Sequence, residues 1–101
     1  MIPKAVEDEV GTHPAVAMVA AVAMPDEVFG ERVCVYVVTR RDASITLDGL
    51  RDHLAARGVS KEWWPEHLIV VDDLPRSSGG KVAKAELRSD VGRRLGAGPG
   101  G

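Results

Sequence analysis

A chain of 101 residues with 45% hydrophobic and 28% charged residues has the size of one domain with one small core, and its composition excludes wholesale disorder. A formal net charge of −2 and a pI near 5.9 lack the basic excess on which general nucleic-acid binding depends. One cysteine excludes an internal disulfide, no apolar run reaches the roughly 18 residues of a membrane span, and the acidic first residues do not have the form of a signal peptide, so the expected compartment is the cytoplasm.

Pro3 suits the first position of a helix, where its missing N–H has no partner to lose. Ile2, Val6 and Val10 then recur at helical spacing and give one apolar stripe. Gly11 and the pair His13-Pro14 end this helix. Residues 16–24 are a nearly continuous run of small apolar side chains, which predicts a buried strand, although the alanines leave a helix open. A loop from Pro25 to Gly30 leads to a second strand over residues 32–39, rich in valine and apolar on both faces, as an interior strand covered by helices would be. Cys34 lies in that run and reads as a small buried hydrophobe without an adjacent base.

After a polar connection over residues 40–44, Thr46 is the expected N-cap of a helix with Leu47, Leu50 and Leu54 on one face, Asp48 in its first turn and Gly58 closing it in a left-handed conformation. Residues 59–66 predict a loop holding Trp63, Trp64 and Pro65. Residues 67–72 predict a third strand, 75–81 a flexible turn, and 82–95 a last helix with Ala83, Leu87, Val91 and Leu95 in register. The expected fold class is α/β (α+β): a small sheet of about three strands with helices packed on it, in the order α-β-β-α-β-α. The first two strands are expected antiparallel across their short loop. Residues 1–95 form the domain, and 96–101 a frayed tail.

Chemistry concentrates in Leu74-Pro75-Arg76-Ser77-Ser78-Gly79-Gly80-Lys81-Val82-Ala83-Lys84-Ala85-Glu86-Leu87-Arg88. A strand ends, a loop of small residues follows, and a helix begins. Gly79 and Gly80 permit a tight turn and close approach to another group. Ser77 and Ser78 lend loop flexibility or a helix cap. The helix N-terminus presents free N–H groups and a positive dipole end, and Arg76, Lys81, Lys84 and Arg88 place four cations within thirteen residues. Together these suit an anion such as phosphate. The stretch is not a P-loop, because Pro75 stands where the first glycine belongs and Val82 replaces the hydroxyl that would reach magnesium. Taken alone, it could equally be a solvated turn with scattered charges.

Pro75, Gly80, Lys81, Lys84, Leu87 and Arg88 match the pattern Pro-x-x-x-x-Gly-Lys-x-x-Lys-x-x-Leu-Arg. This resembles the last core motif of the adenylate-forming superfamily: acyl-CoA synthetases, adenylation domains and luciferases. Ile2, Val6 and Glu7 with His13-Pro14-Ala15-Val16 resemble the helix after that family's hinge. Ala20-Ala21-Val22-Ala23-Met24-Pro25-Asp26 with Gly30-Glu31 resembles the next strand and loop. The similarity runs over residues 2–95 in order and is nearest in character to a fatty or carboxylic acid CoA ligase.

The resemblance implies the C-terminal domain that swings against a large N-terminal domain. The large domain's phosphate-binding loop and its adenine and acyl pockets are not among these residues, so the chain alone is expected to be inactive. Lys81 is implied as the catalytic residue of adenylation. There a carboxylate attacks the α-phosphate of ATP, and a fixed ammonium offsets the charge that builds between two anions. The resemblance further implies ATP and magnesium in the larger enzyme, CoA as acyl acceptor, and no cofactor held tightly by this chain. Through the Pro-x-x-x-x-Gly-Lys pattern, it implies a protein acetyltransferase acting on Lys81.

Arg76, Ser77, Ser78, Gly79 and Gly80 form the expected substrate or phosphate loop. Lys84, Arg88, Trp63 and Trp64 are candidates for CoA or interdomain contact, against core packing for the tryptophans and a solvated face for the cations. Glu7, Asp8 and Glu9 read as a solvated helix face. His13, His53 and His67 have no metal-ligand spacing, so no metal site is expected. The rival of a different class is an autonomous small α/β module that binds an anion or a protein through the glycine–lysine loop.

Overall fold

The computed structural model describes residues 3–26, 30–76, 79–80 and 82–93, without the side chains of residues 3, 24–26, 30 and 31. Its elements follow the expected order: α1 (Pro3–Val10), β1 (Val16–Asp26), β2 (Gly30–Thr39), α2 (Leu47–Ala56), a 3-10 turn (Lys61–Trp63), β3 (His67–Val70) and α3 (Lys84–Val91). The strands form one sheet in the order β1-β2-β3, with β1 antiparallel to β2 and β3 parallel to it. The parallel pair requires a crossover, which α2 supplies.

β2 is the central strand, and its four middle residues are all buried. Because successive side chains point to opposite faces, Val35 and Val37 enter one core and Cys34 and Tyr36 the other. The first core takes Val6 and Val10 from α1 and Leu50 and Leu54 from α2. The second takes Leu74, Leu87 and Val91 from the last third of the chain. A strand buried on both faces has no polar side to show, which accounts for its unbroken apolar run. Val16 belongs to the first core, whereas Ala20 and Val22, at the same parity, belong to the second. The register shift between Val16 and Met18 explains this, since one extra residue turns every side chain beyond it to the opposite face.

The helix ends follow local chemistry. The Gly49 N–H donates to the Thr46 side-chain oxygen at 3.0 Å, making Thr46 the N-cap of α2, and Gly58 adopts φ +82° just past its end. Some boundaries depart from expectation. β1 runs through Pro25 to Asp26, because an edge strand tolerates proline's missing donor. β3 stops at Val70, although the Val71 N–H still bonds to the Val37 carbonyl at 2.9 Å. α3 begins at Lys84, not at Val82, because Val82 is held in an antiparallel bridge with Arg76. Ile2 and Leu95, expected on the apolar stripes of α1 and α3, lie outside the described residues, as does the tail at 96–101. Among the described residues no helix is long and apolar enough to cross a membrane.

Candidate functional site

The loop ahead of α3 is anchored at its base. Leu74 is buried in the second core, so the chain enters the loop from a fixed point. The Ala83 N–H then donates to the Pro75 carbonyl at 2.9 Å, and Arg76 pairs with Val82. Within the loop the Arg76 guanidinium donates to the Gly80 carbonyl at 3.3 Å and lies 3.5 Å from the Met18 sulfur on β1. Gly79 and Gly80 have φ of +91° and +81°, and a Cβ on either would meet no atom within 4 Å. Glycine is therefore required here by backbone conformation rather than by space. Ser77, Ser78 and Lys81, three of the residues singled out in the sequence, lie outside the described residues.

The remaining candidates separate into two groups. Arg88 is exposed on α3. Lys84, at the first position of α3, instead pairs inside the domain with the Glu7 carboxylate of α1. The same Glu7 oxygen accepts the Ala21 N–H of β1 at 3.1 Å. Glu7 is thus no part of a solvated face, whereas Asp8 is exposed and the partly exposed Glu9 pairs at the surface with Arg57 just past α2. Trp63 and Trp64 are partly buried and pack against the first core. The Trp64 indole N–H donates to the Val59 carbonyl at 2.9 Å, and the Lys61 ammonium lies 6.0 Å from the Trp64 ring centroid. Arg51 fixes the same segment by donating to the Pro65 carbonyl at 3.3 and 3.1 Å.

Between α3 and the chain at 71–75 runs an open groove of about 560 Å³, with Tyr36 at its floor and Asp73, Glu86, Asp90 and Arg93 around it. Three carboxylates against one guanidinium disfavour a nucleotide's phosphates there. Among the described residues no group of three or more His, Cys, Asp or Glu side chains could hold a metal.

Sequence reasoning missed Glu7 and the Tyr36–Asp90 contact. The Tyr36 hydroxyl donates to Asp90 Oδ2 at 2.5 Å and so ties α3 to the sheet. Neither contact leaves a local signal, because the partners are 77 and 54 residues apart.

The fold is that of the small C-terminal domain of adenylate-forming enzymes. The chain belongs to the AMP-binding enzyme C-terminal domain family, whose model matches residues 5–81. It is 41% identical over 91 residues to the medium-chain fatty-acid–CoA ligase of Escherichia coli (strain K12), covering 89% of this chain and 16% of that protein. It is 43% identical over 86 residues to a Streptomyces salicylyl-CoA synthase / salicylate adenylyltransferase, covering 85% and 16%. The ATP-bound structure of MatB from Rhodopseudomonas palustris superposes with a TM-score of 0.82 at 34% identity, covering 89% of this chain and 18% of that one. The apo structure of MbtA from Mycobacterium smegmatis gives 0.81 at 36% identity, covering 86% and 16%. The chain spans 16% of the length of each of these two relatives, and so corresponds to one domain of a larger enzyme.

Proposed function

We propose that this chain is the C-terminal domain, residues 1–95, of an AMP-forming acid–CoA ligase, and that Lys81 is its contribution to catalysis. In the first half-reaction a substrate carboxylate attacks the α-phosphorus of ATP, displacing pyrophosphate and forming an acyl-adenylate. In the second the thiol of CoA attacks the acyl carbon, giving the thioester and AMP. The observation that carries the reading is the anchored loop: Gly79 and Gly80 in left-handed conformations directly before Lys81, with both ends of the loop held.

An ammonium carried into the site offsets the charge that builds as two anions approach, and it is withdrawn when the domain rotates for thioester formation. ATP with its magnesium and the acid would be held mainly by the large domain. The acid belongs to the aliphatic or aryl carboxylic acids, the classes named by the relatives' activities. The reading places the enzyme in the cytoplasm, where ATP and CoA are available. A protein acetyltransferase acting on Lys81 would remove the same charge and switch off the same half-reaction.

The test is Lys81→Ala in the full-length enzyme, assayed for ATP–pyrophosphate exchange with a panel of aliphatic and aryl acids. Thioester formation from supplied acyl-adenylate is measured separately. Exchange should fall by about 10²–10³ with thioester formation retained, the loss typical of one electrostatic group at a transition state. Unchanged exchange would remove the catalytic reading and favour a module that only binds through this loop.

A further inference from the structure

We infer that Glu7 is a positioning residue for adenylation, acting through Lys84 to hold the glycine–lysine loop; this rests on the proposed role of Lys81. α1 and α3 pack on opposite faces of the sheet, and the Glu7–Lys84 ion pair joins them around its open edge. β1 is an edge strand, and its Ala21 N–H finds its acceptor in Glu7. That hydrogen bond fixes the carboxylate before it meets the lysine. The side chains are 14% and 32% exposed, so the pair is partly dry and less screened than a surface pair.

Helix physics by itself argues against a lysine at this position. The N-terminus of α3 carries the positive end of its dipole, where a cation is unfavourable, and Ala83 offers no side chain to cap it. Lys84 is therefore accounted for by its tertiary partner, not by its own helix. It stands next to Ala83 and two residues after Val82, the two residues whose backbones close the base of the loop on Pro75 and Arg76. A tether at Lys84 consequently sets where α3 starts and where the loop leaves it. Lys81 lies three residues upstream, and a reacting group displaced by about 1 Å can lose as much as 100-fold in rate.

The test compares Glu7→Gln, Lys84→Met, Lys84→Arg and the Glu7→Gln/Lys84→Met double variant in the full-length enzyme, with Lys81→Ala in parallel. Glu7→Gln keeps an oxygen for the Ala21 N–H and removes only the charge. Glu7→Gln and Lys84→Met should each lower kcat for ATP–pyrophosphate exchange by about 10-fold or more, with KM for ATP and acid little changed. Thioester formation from supplied acyl-adenylate should hold, and Lys84→Arg should keep most of the activity. The double variant should be no worse than the poorer single, because the two side chains act as one unit.

Additive losses, or equal losses in both half-reactions, would overturn the inference. A thioester defect confined to Lys84→Met would assign Lys84 to CoA instead and overturn it equally. If Lys81→Ala abolishes exchange while Glu7→Gln and Lys84→Met leave it intact, the positioning role alone fails. If Lys81→Ala leaves exchange intact, the catalytic reading of the loop fails.

Discussion

Tyr36 should be the main polar anchor of α3, and Tyr36→Phe tests this with the least change in shape. The side chain is 1% exposed in the centre of β2, and its hydroxyl lies 2.5 Å from Asp90 Oδ2 and 3.3 Å from the Leu87 carbonyl oxygen. One O–H cannot serve two acceptors at full strength, so the short bond to the carboxylate dominates. Phenylalanine keeps the ring in the second core and deletes that bond. Hydrogen bonds to charged groups contribute about 1.5–3 kcal/mol. Asp90 is 27% exposed and keeps the Arg93 guanidinium at 3.4 Å, so water recovers part of the loss and the low end of that range, about 1.5 kcal/mol, applies. With an unfolding entropy of about 2.1 cal/mol/K per residue, a domain of this size should lose about 7 °C in Tm. Urea unfolding of the chain should show a lower midpoint at unchanged m-value. In a double-mutant cycle with Asp90→Ala, the two losses should be strongly non-additive. A midpoint shift equivalent to less than about 0.3 kcal/mol, or simple additivity, would refute the account of how α3 is held to the sheet.

Leu54→Ala should cost about 3–4 kcal/mol in urea unfolding, because Leu54 is fully buried among Val6, Val10 and Leu50 and the cavity has packed neighbours on all sides. A loss below about 1 kcal/mol would mean that α2 collapses onto the gap and that the core is less closely packed than described. Acid should weaken the fold through His53. Burial first, then the neighbouring His13 and Arg57, lower its pKa below the ordinary value, with Glu9 opposing. The unfolded chain therefore takes up this proton first. Its contribution to stability is complete above about pH 6.5 and declines as pH falls from there through the folded-state value. Melting curves between pH 7.5 and 5 should show that decline, and His53→Gln should flatten it. An identical slope in the variant would assign the acid sensitivity to other groups.

Most of the secondary structure was legible because its causes are local. The β2 run is apolar without a break from Val33 to Val38, which only a two-sided burial explains. Thr46 and Gly58 bracket α2 through capping and a left-handed turn that need only their immediate neighbours. Leu87 and Val91 are one helical turn apart and both buried. Where expectation and structure part, a distant neighbour decides. Val82 is the expected first residue of α3 but is drawn into a bridge with Arg76. Val16 shares the parity of Ala20 and Val22 and faces the other way because of one bulge. Glu7 looked like one member of an acidic, solvated surface because nothing near it in the chain is its partner.

By itself the sequence determined the order of helices and strands, the interior place of β2, and the motifs by which the chain resembles its family. Each of these is written in spacing, propensity or residue type over a few turns of chain. The tertiary structure alone decided that β3 runs parallel to β2, that α1 and α3 take opposite faces, and that Glu7 meets Lys84 around the sheet edge. A charge's role depends on what folding places beside it, and two side chains 77 residues apart carry no mark of each other until the chain has closed.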